Sequence, residues 1–394
     1  MGDGTVVTPD VGFVRSLQEA GADTLKKCYQ CATCSVVCEL TPKDNPFPRK
    51  EMLMAQWGMK KALASDPDVW LCHNCNDCTK YCPRGARPGD VLSVLRKSAV
   101  AENAFPRFMG TIVGNPSLIL LALALPILLF GAFIGVRMSS GQPLFPEGQV
   151  VFDKFFPIHY IDPIFITTTT LVMLSFVISV SRFWNGLNTQ PYKLLAYGRF
   201  LPSFIATIKE IVFHNKFQKC DANKERTTAH RLVMFGFIGL FITTNWAVFH
   251  MYVLGWRSPY SLTDPNILAL FGGSKELVFL AYLVFKTFGN LSAIAFLLGG
   301  IMIVSSRLKD KGFVSKTSSF DWLFASVMLI LAVTGLLSEL LRVAGLAVPA
   351  YTIYFIHLIF VFYIIAYLPY SKLAHLVYRT VAITYSKMAN RDIM

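Results

Sequence analysis

Six stretches of the chain are almost continuously apolar, at roughly 116 to 136, 163 to 182, 231 to 252, 277 to 304, 321 to 341 and 350 to 369. Each is long enough to cross a hydrocarbon core of about 30 Å as a helix. Backbone polar groups in lipid must be satisfied within the protein, so the pattern predicts a six-helix transmembrane bundle. The first hundred residues read differently. Met52, Leu53, Trp57 and Leu63 recur at roughly helical spacing after Pro46 and Pro48, Val91, Leu92 and Leu95 repeat the pattern after Pro88, and no strand alternation interrupts them. The prediction is an all-α protein with a small helical domain over residues 1–104 and a membrane domain over 116–394. Residues 105–115, with Pro106, Gly110 and Gly114, read as a linker at the membrane surface.

Two segments carry weaker patterns. Residues 1–25 are polar apart from Phe13, Val14 and Leu17, and read as a frayed tail, a helix docked on a partner being the alternative. In the long connection from 183 to 229, Leu201, Phe204, Ile205, Ile208, Ile211 and Val212 surround Lys209 and Glu210. That is the pattern of an amphipathic helix, and it suits a membrane interface and a partner protein equally.

Composition sharpens this picture. With 54% hydrophobic and 15% charged residues among 394, the chain is too apolar for an ordinary soluble protein. Its formal charge of +13 invites a nucleic-acid reading, but residues 1–104 hold 13 Lys/Arg against 12 Asp/Glu, so the excess lies along the membrane domain. Six spans put both termini on one side. The connections on that side carry eighteen basic residues, and those on the other side only Arg137, Lys154, Arg257, Lys275 and Arg342. The positive-inside bias places the N-terminal domain and both termini in the cytoplasm, and the expected location is a bacterial cytoplasmic (inner) membrane.

Candidate chemistry begins with cysteine. Cys28, Cys31, Cys34 and Cys38 form one C-x2-C-x2-C-x3-C run, and Cys72, Cys75, Cys78 and Cys82 form a second, followed by Pro83. Structural zinc takes two separated cysteine pairs, and a third thiolate two residues on has no place in one tetrahedron. Nothing like a cleaved secretory signal precedes the runs, and they use eight of the nine cysteines, which disfavours disulfides and leaves Cys220 as a spare thiol. The runs resemble bacterial ferredoxins, and the resemblance implies two [4Fe-4S] clusters with crossed ligation. One would take Cys28, Cys31, Cys34 and Cys82, the other Cys72, Cys75, Cys78 and Cys38.

Four histidines mark the membrane domain: His230 and His250 at the ends of the third span, His357 and His375 on the sixth. The pairs are about 30 Å and about 27 Å apart along straight helices. Antiparallel spans would bring His230 to His375 near the cytoplasmic face and His250 to His357 near the outer face, as two stacked haems b require. Phase is the difficulty, since twenty residues set His250 about 200° round from His230. A bend in the third helix, or His159 as the distal ligand, would resolve it. His214 reads as a solvated loop residue, and His73 as a tuner of the second cluster. Lys286, about ten residues into the fourth span, needs a partner in lipid. A haem propionate or a quinone carbonyl would serve, with snorkelling as the plain alternative.

The helical domain with its two cysteine runs resembles the iron-sulfur C subunits of heterodisulfide reductases. The later spans, most clearly His357 and LPYSKLAHLVYR around His375, resemble the haem b subunits of heterodisulfide reductase and respiratory nitrate reductase. Both parts in one chain resemble the membrane-bound C subunits of quinone-interacting membrane-bound oxidoreductase (Qmo) complexes of sulfate reducers. The resemblance implies electron exchange between menaquinone and cytoplasmic flavin/iron-sulfur subunits like those of soluble heterodisulfide reductase, with adenylylsulfate reductase as onward partner. Glu39, where ferredoxins usually have Pro, and the wide His230–His250 separation depart from the pattern. A non-redox anchor holding a ferredoxin domain is the alternative function. A transporter would need paired intramembrane acids, and Glu276 and Glu339 sit near span ends.

Overall fold

Asp10 accepts a hydrogen bond from the Phe13 amide at 2.8 Å and so caps the first helix, α1 (Val11–Glu19), which buries Phe13 and Leu17. This corrects the reading of residues 1–25 as a frayed tail: the short apolar pattern docks on the domain's own core. The computed structural model describes residues 8–189, 199–214, 216, 226–256, 260–309 and 318–391. Every regular element among them is helical. The N-terminal domain continues with α2 (Thr33–Val36), α3 (Arg49–Gln56), α4 (Lys60–Ala64), α5 (Asp68–Leu71), α6 (Asp77–Lys80) and α7 (Pro88–Asn103). Met52, Leu63, Val91, Leu92 and Leu95 fill its core, whereas Trp57 faces outward.

The linker is held in place. Ser175 and Tyr370 donate to the Phe105 carbonyl at 2.5 and 2.6 Å, and Arg182 donates to that of Ala104 at 2.8 Å. A short helix, α8 (Arg107–Gly114), then leads into α9 (Ile119–Ser139). After α10 (Phe152–Phe155) come α11 (Ile158–Leu187), α12 (Phe200–Phe213), α13 (Arg226–Tyr252), α14 (Pro265–Leu270), α15 (Lys275–Lys309), α16 (Ser319–Val343), α17 (Ala347–Ala366) and α18 (Ala374–Met388). Six of these, α9, α11, α13, α15, α16 and α17, are long and apolar enough to cross a membrane.

Small residues set the closest packing. A Cβ on Gly236 would stand 2.6 Å from the Phe296 amide nitrogen, and one on Gly299 would stand 2.8 Å from that of Val233. α13 and α15 therefore touch backbone to backbone, as small-residue interfaces allow in lipid. α16 begins on a capping box in which Ser318 and Asp321 satisfy each other's backbone amides. It packs antiparallel along α17.

The end of the sixth span differs from the sequence pattern. The sixth span ends at Ala366, and a short turn over Leu368–Tyr370 precedes α18, so His375 is not on the same helix as His357. Pro369 lacks the amide a continuing helix needs, so the expected placing of His357 and His375 on one span ends there. α18 lies instead against α12 and the N-terminal domain. Trp70 of α5 packs between Phe183 of α11 and Tyr378 of α18, and Arg391 grips Asp68 with bonds of 2.6 and 3.1 Å. One buried core thus runs from the N-terminal domain into the adjoining end of the bundle.

Candidate metal centres

Two loops of the same shape hold the cysteines. In Cys28–Cys34 the left-handed residues are Gln30 (φ 61°) and Ala32 (φ 67°), and in Cys72–Cys78 they are Asn74 (φ 55°) and Asn76 (φ 69°). Each pair occupies the same two places between the thiols. Left-handed geometry costs a non-glycine residue of order 1 kcal/mol, and its repetition at matching positions shows a loop wound for a purpose. Both loops curl so that amides turn toward sulfur: the Asn74 amide lies 3.3 Å from Cys72 Sγ, and Gln30 Nε2 lies 3.4 Å from Cys28 Sγ.

The thiols gather into two cavities. Cys28, Cys31, Cys34 and Cys82 line the first, site I, and Cys38, Cys72, Cys75 and Cys78 line the second, site II. Each site takes three thiols from one run and the fourth from the other. The donor set, four thiols on each concave site, suits an iron-sulfur cube. Burial and the neighbouring thiols push Cys34 up to about 11, and burial with the charge of Cys72 pushes Cys38 up to about 12. Such groups ionise only when a cation shares the site. Site I is the more open of the two. Cys31 is exposed, its thiol held below the usual range by Thr33, while Cys72 and Cys78 are buried. Cys220 lies outside the described residues.

Histidines gather at the end of the bundle that meets the N-terminal domain. His230 of α13 lies within electrostatic reach of His375 and His214. The Nδ1 of His375 donates to the Lys372 carbonyl at 2.5 Å, and burial pulls this imidazole down to about 4. It is therefore neutral, with Nε2 as its bare nitrogen. His214, read from sequence as solvated, is only 3% exposed, and its Nε2 lies 2.9 Å from His230 Nδ1. The sequence separation of this pair hid the contact: α12 ends at Phe213 and delivers His214 back to α13.

His357 is deeper in the membrane domain. Its Nδ1 lies 2.9 Å from Thr334 Oγ1, and a Cβ on Gly335 would stand 3.1 Å from its Cε1. Thr334 already donates to the Ile330 carbonyl, so its oxygen accepts from the ring. In three of the four histidines Nδ1 is thus occupied by a neighbour, the arrangement that turns Nε2 toward a metal. The fourth, His250, is enclosed by Trp246, Trp256, Tyr260 and Phe285, and its Nδ1 has no hydrogen-bond partner among the described residues.

His250 and His357 do not face each other. His250 touches Phe285 of α15, the neighbour of Lys286, and Lys286 pairs with Glu339 of α16. His357 touches Thr334, five residues of α16 further in, or about 7.5 Å. The expected meeting of this pair near the outer face is corrected accordingly: His250 lies near the C-terminal end of α13, while α17 holds His357 near mid-span. His159, the reserve ligand, is exposed and packs on Tyr160. The ion pair with Glu339 also answers what Lys286 does in lipid, and Glu339 gains a partner that its place near a span end did not suggest.

Comparison with known proteins bears on the cysteine domain. Residues 24–86 match the family model of the 4Fe-4S dicluster domain. The chain is 33% identical over 91 residues to the C subunit of the H(2):CoB-CoM heterodisulfide,ferredoxin reductase of Methanothermobacter marburgensis, covering 23% of this chain and 49% of that protein. It is 34% identical over 89 residues to a protein of Archaeoglobus profundus described as like the C subunit of heterodisulfide reductase, covering 22% and 47%. The chain thus spans about half the length of the curated relatives it matches. No solved structure matches it. The N-terminal region resembles the C subunit of heterodisulfide reductase, and its cysteines support iron-sulfur clusters.

The dicluster domain meets the membrane helices at site II. Arg226 of α13 donates to the Asn74 carbonyl at 3.0 Å and Arg96 to that of Cys72 at 2.8 Å. His73 is held well below its usual range by burial, with Arg379, Lys216 and Arg96 adding to it, so it is neutral beside site II. Sequence reasoning missed this collar of arginines because its members come from three distant segments.

Proposed function

We propose that this chain is the membrane subunit of a respiratory oxidoreductase that exchanges electrons between the menaquinone pool and cytoplasmic flavin/iron-sulfur subunits. Two haems b and two [4Fe-4S] clusters would be its cofactors, held by His230, His375 and His357 in the membrane domain and by the two cysteine quartets. The observation that carries this reading is the Arg226–Asn74 bond: the helix bearing His230 touches, one turn away, the loop that bears Cys72 and Cys75. His73 and His230 are within electrostatic reach across that joint. The fit of the histidines to haem rests on their occupied Nδ1 atoms. Bound there, haems and clusters supply one-electron chemistry of their own.

The chain's part is placement and electrostatics. Sites stand in order from His357 through the His230–His375 pair and site II to the exposed site I, where soluble subunits would dock. Arg96, Arg226 and Arg379 offset the negative charge that a thiolate-ligated cluster brings to site II. Lys286 and Glu339 lie near the outer end of the bundle, where a quinone headgroup would find a cationic hydrogen-bond donor and a carboxylate. Partners like the soluble heterodisulfide reductase subunits, with adenylylsulfate reductase beyond them, follow from the resemblance of the two halves. The eighteen-to-five bias of basic residues supports a cytoplasmic dicluster domain.

A redox-titrated optical and EPR spectrum of the purified chain, with a menaquinol analogue as donor, tests the proposal. Two b-type components and two cubane signals that the quinol reduces are expected. Iron-sulfur signals without any protohaem would leave a membrane anchor for a ferredoxin-type domain.

A further inference from the structure

His214 is a non-glycine residue in left-handed geometry (φ 55°, ψ 25°), closing α12 and buried to 3% exposure. Its Nδ1 lies 3.1 Å from the Val212 carbonyl and its Nε2 lies 2.9 Å from His230 Nδ1. A carbonyl only accepts, so Nδ1 of His214 carries the proton. In a neutral ring the other nitrogen is then an acceptor. His230 must therefore donate from Nδ1, which leaves its Nε2 as the nitrogen that would bind iron. The chain of roles runs one way, from a fixed backbone carbonyl to the metal-facing atom of α13.

The support behind His214 is rigid. Thr384 of α18 donates to Thr207 of α12 at 3.3 Å, and Glu210 pairs with Lys216 at 2.7 Å and Lys387 at 2.9 Å. α18, which braces α12 in this way, also carries His375. One braced pair of helices thus presents both imidazoles that face His230.

We infer that His214 is a positioning residue for the cytoplasmic haem: it fixes the tautomer and rotation of His230 and, by accepting its Nδ1 proton, strengthens that imidazole as an electron donor to ferric iron. The inference rests on the haem reading above. Stronger donation favours the ferric state and lowers the midpoint potential of that haem alone.

The test compares His214→Leu and His214→Gln in the full chain by haem content and optical redox titration. Both side chains are unbranched at Cβ and meet the same backbone strain, but only glutamine offers an acceptor oxygen near the place of Nε2. We expect His214→Leu to keep both haems and to raise one midpoint potential, by about 59 mV for each tenfold loss of ferric over ferrous preference, and His214→Gln to restore it. A wild-type titration in His214→Leu, or loss of the same haem in both variants, would overturn the inference and leave the haem reading standing. Absence of haem from the wild type would remove both.

Discussion

Trp70 of the dicluster domain stacks on Tyr378 of α18 with ring centroids 5.3 Å apart and planes 12° apart, and both side chains are fully buried. The contact lies where α5 leads directly into Cys72. The iron-sulfur domain is thereby bolted to the bundle through the residues that precede its own ligand, so the position of site II relative to His230 is set by packing and does not depend on a flexible tether.

Trp70→Ala should cost about 3–5 kcal/mol, as for other large aromatic truncations in cores, and the loss should fall on the joint. Heating the purified variant while following iron-sulfur absorbance and the haem bands separately gives the check. The iron-sulfur signal is expected to fade at a lower temperature than in the wild type, with the haem bands unchanged. Equal shifts of both would mean that the joint is not where the energy resides.

The two cysteine sites should differ in durability. Cys31 is exposed whereas Cys72 and Cys78 are buried, so oxygen and chelators reach site I first. Air exposure followed by EPR should remove one cubane signal well before the other. Cys31→Ser should abolish that same early signal and leave the late one, and loss of the late signal in this variant would reverse the assignment of exposure.

Burial raises the Glu51 carboxyl to about 8, with Lys50 opposing and Asp66 and Asp68 adding to the shift. The folded state then holds a proton that the unfolded chain releases near pH 4.5. Its stabilisation is present at low pH and is lost as pH climbs through that interval. Glu51→Gln is always neutral and should flatten this dependence, so the variant gains on the wild type as pH approaches 8. Thermal loss of the iron-sulfur absorbance, measured as a function of pH, reads the difference. Parallel curves would show that Glu51 is ionised in the folded protein.

Much of this was legible in the chain. Helices of lipid length announce themselves by continuous apolar runs, and cysteines two residues apart gather in space because their loop is short. What the pattern did not carry was contact between distant segments. His214 and Glu339 look solvated or terminal in one dimension, and their partners lie on other helices. The break before His375 had a signal in Pro369, which the apolar run reaching to 369 obscured. α1 was missed because two buried side chains on nine residues make too weak a period.

Lys286 and Glu339 form an ion pair between α15 and α16, each about a quarter exposed at its side chain. Removing one partner leaves the other without compensation in an apolar setting, which costs several kcal/mol, whereas replacing both is far milder. Lys286→Met should therefore lower stability more than Lys286→Met with Glu339→Leu. If the pair serves the quinone, both variants should lose haem reduction by a menaquinol analogue, although the double variant keeps its fold. A double variant that is reduced at the wild-type rate would confine the pair to structure.

The histidines offer the sharpest division. His375→Ala and His230→Ala should remove the same b-type component, because their imidazoles share the end of the bundle next to the dicluster domain, and His357→Ala should remove the other. His250 stands about 7.5 Å or more from the level of His357, toward the C-terminal end of α13, when read across α15 and α16, inside a cage of Trp246, Trp256, Tyr260 and Phe285. His250→Ala should accordingly retain both components, with at most a small shift in the potential of the one held by His357. Haem content and optical titration of the four variants decide the matter. Loss of the His357 component in His250→Ala would mean that the C-terminal end of α13 shifts toward His357 by about a helical turn when haem binds, which would restore His250 as the distal ligand.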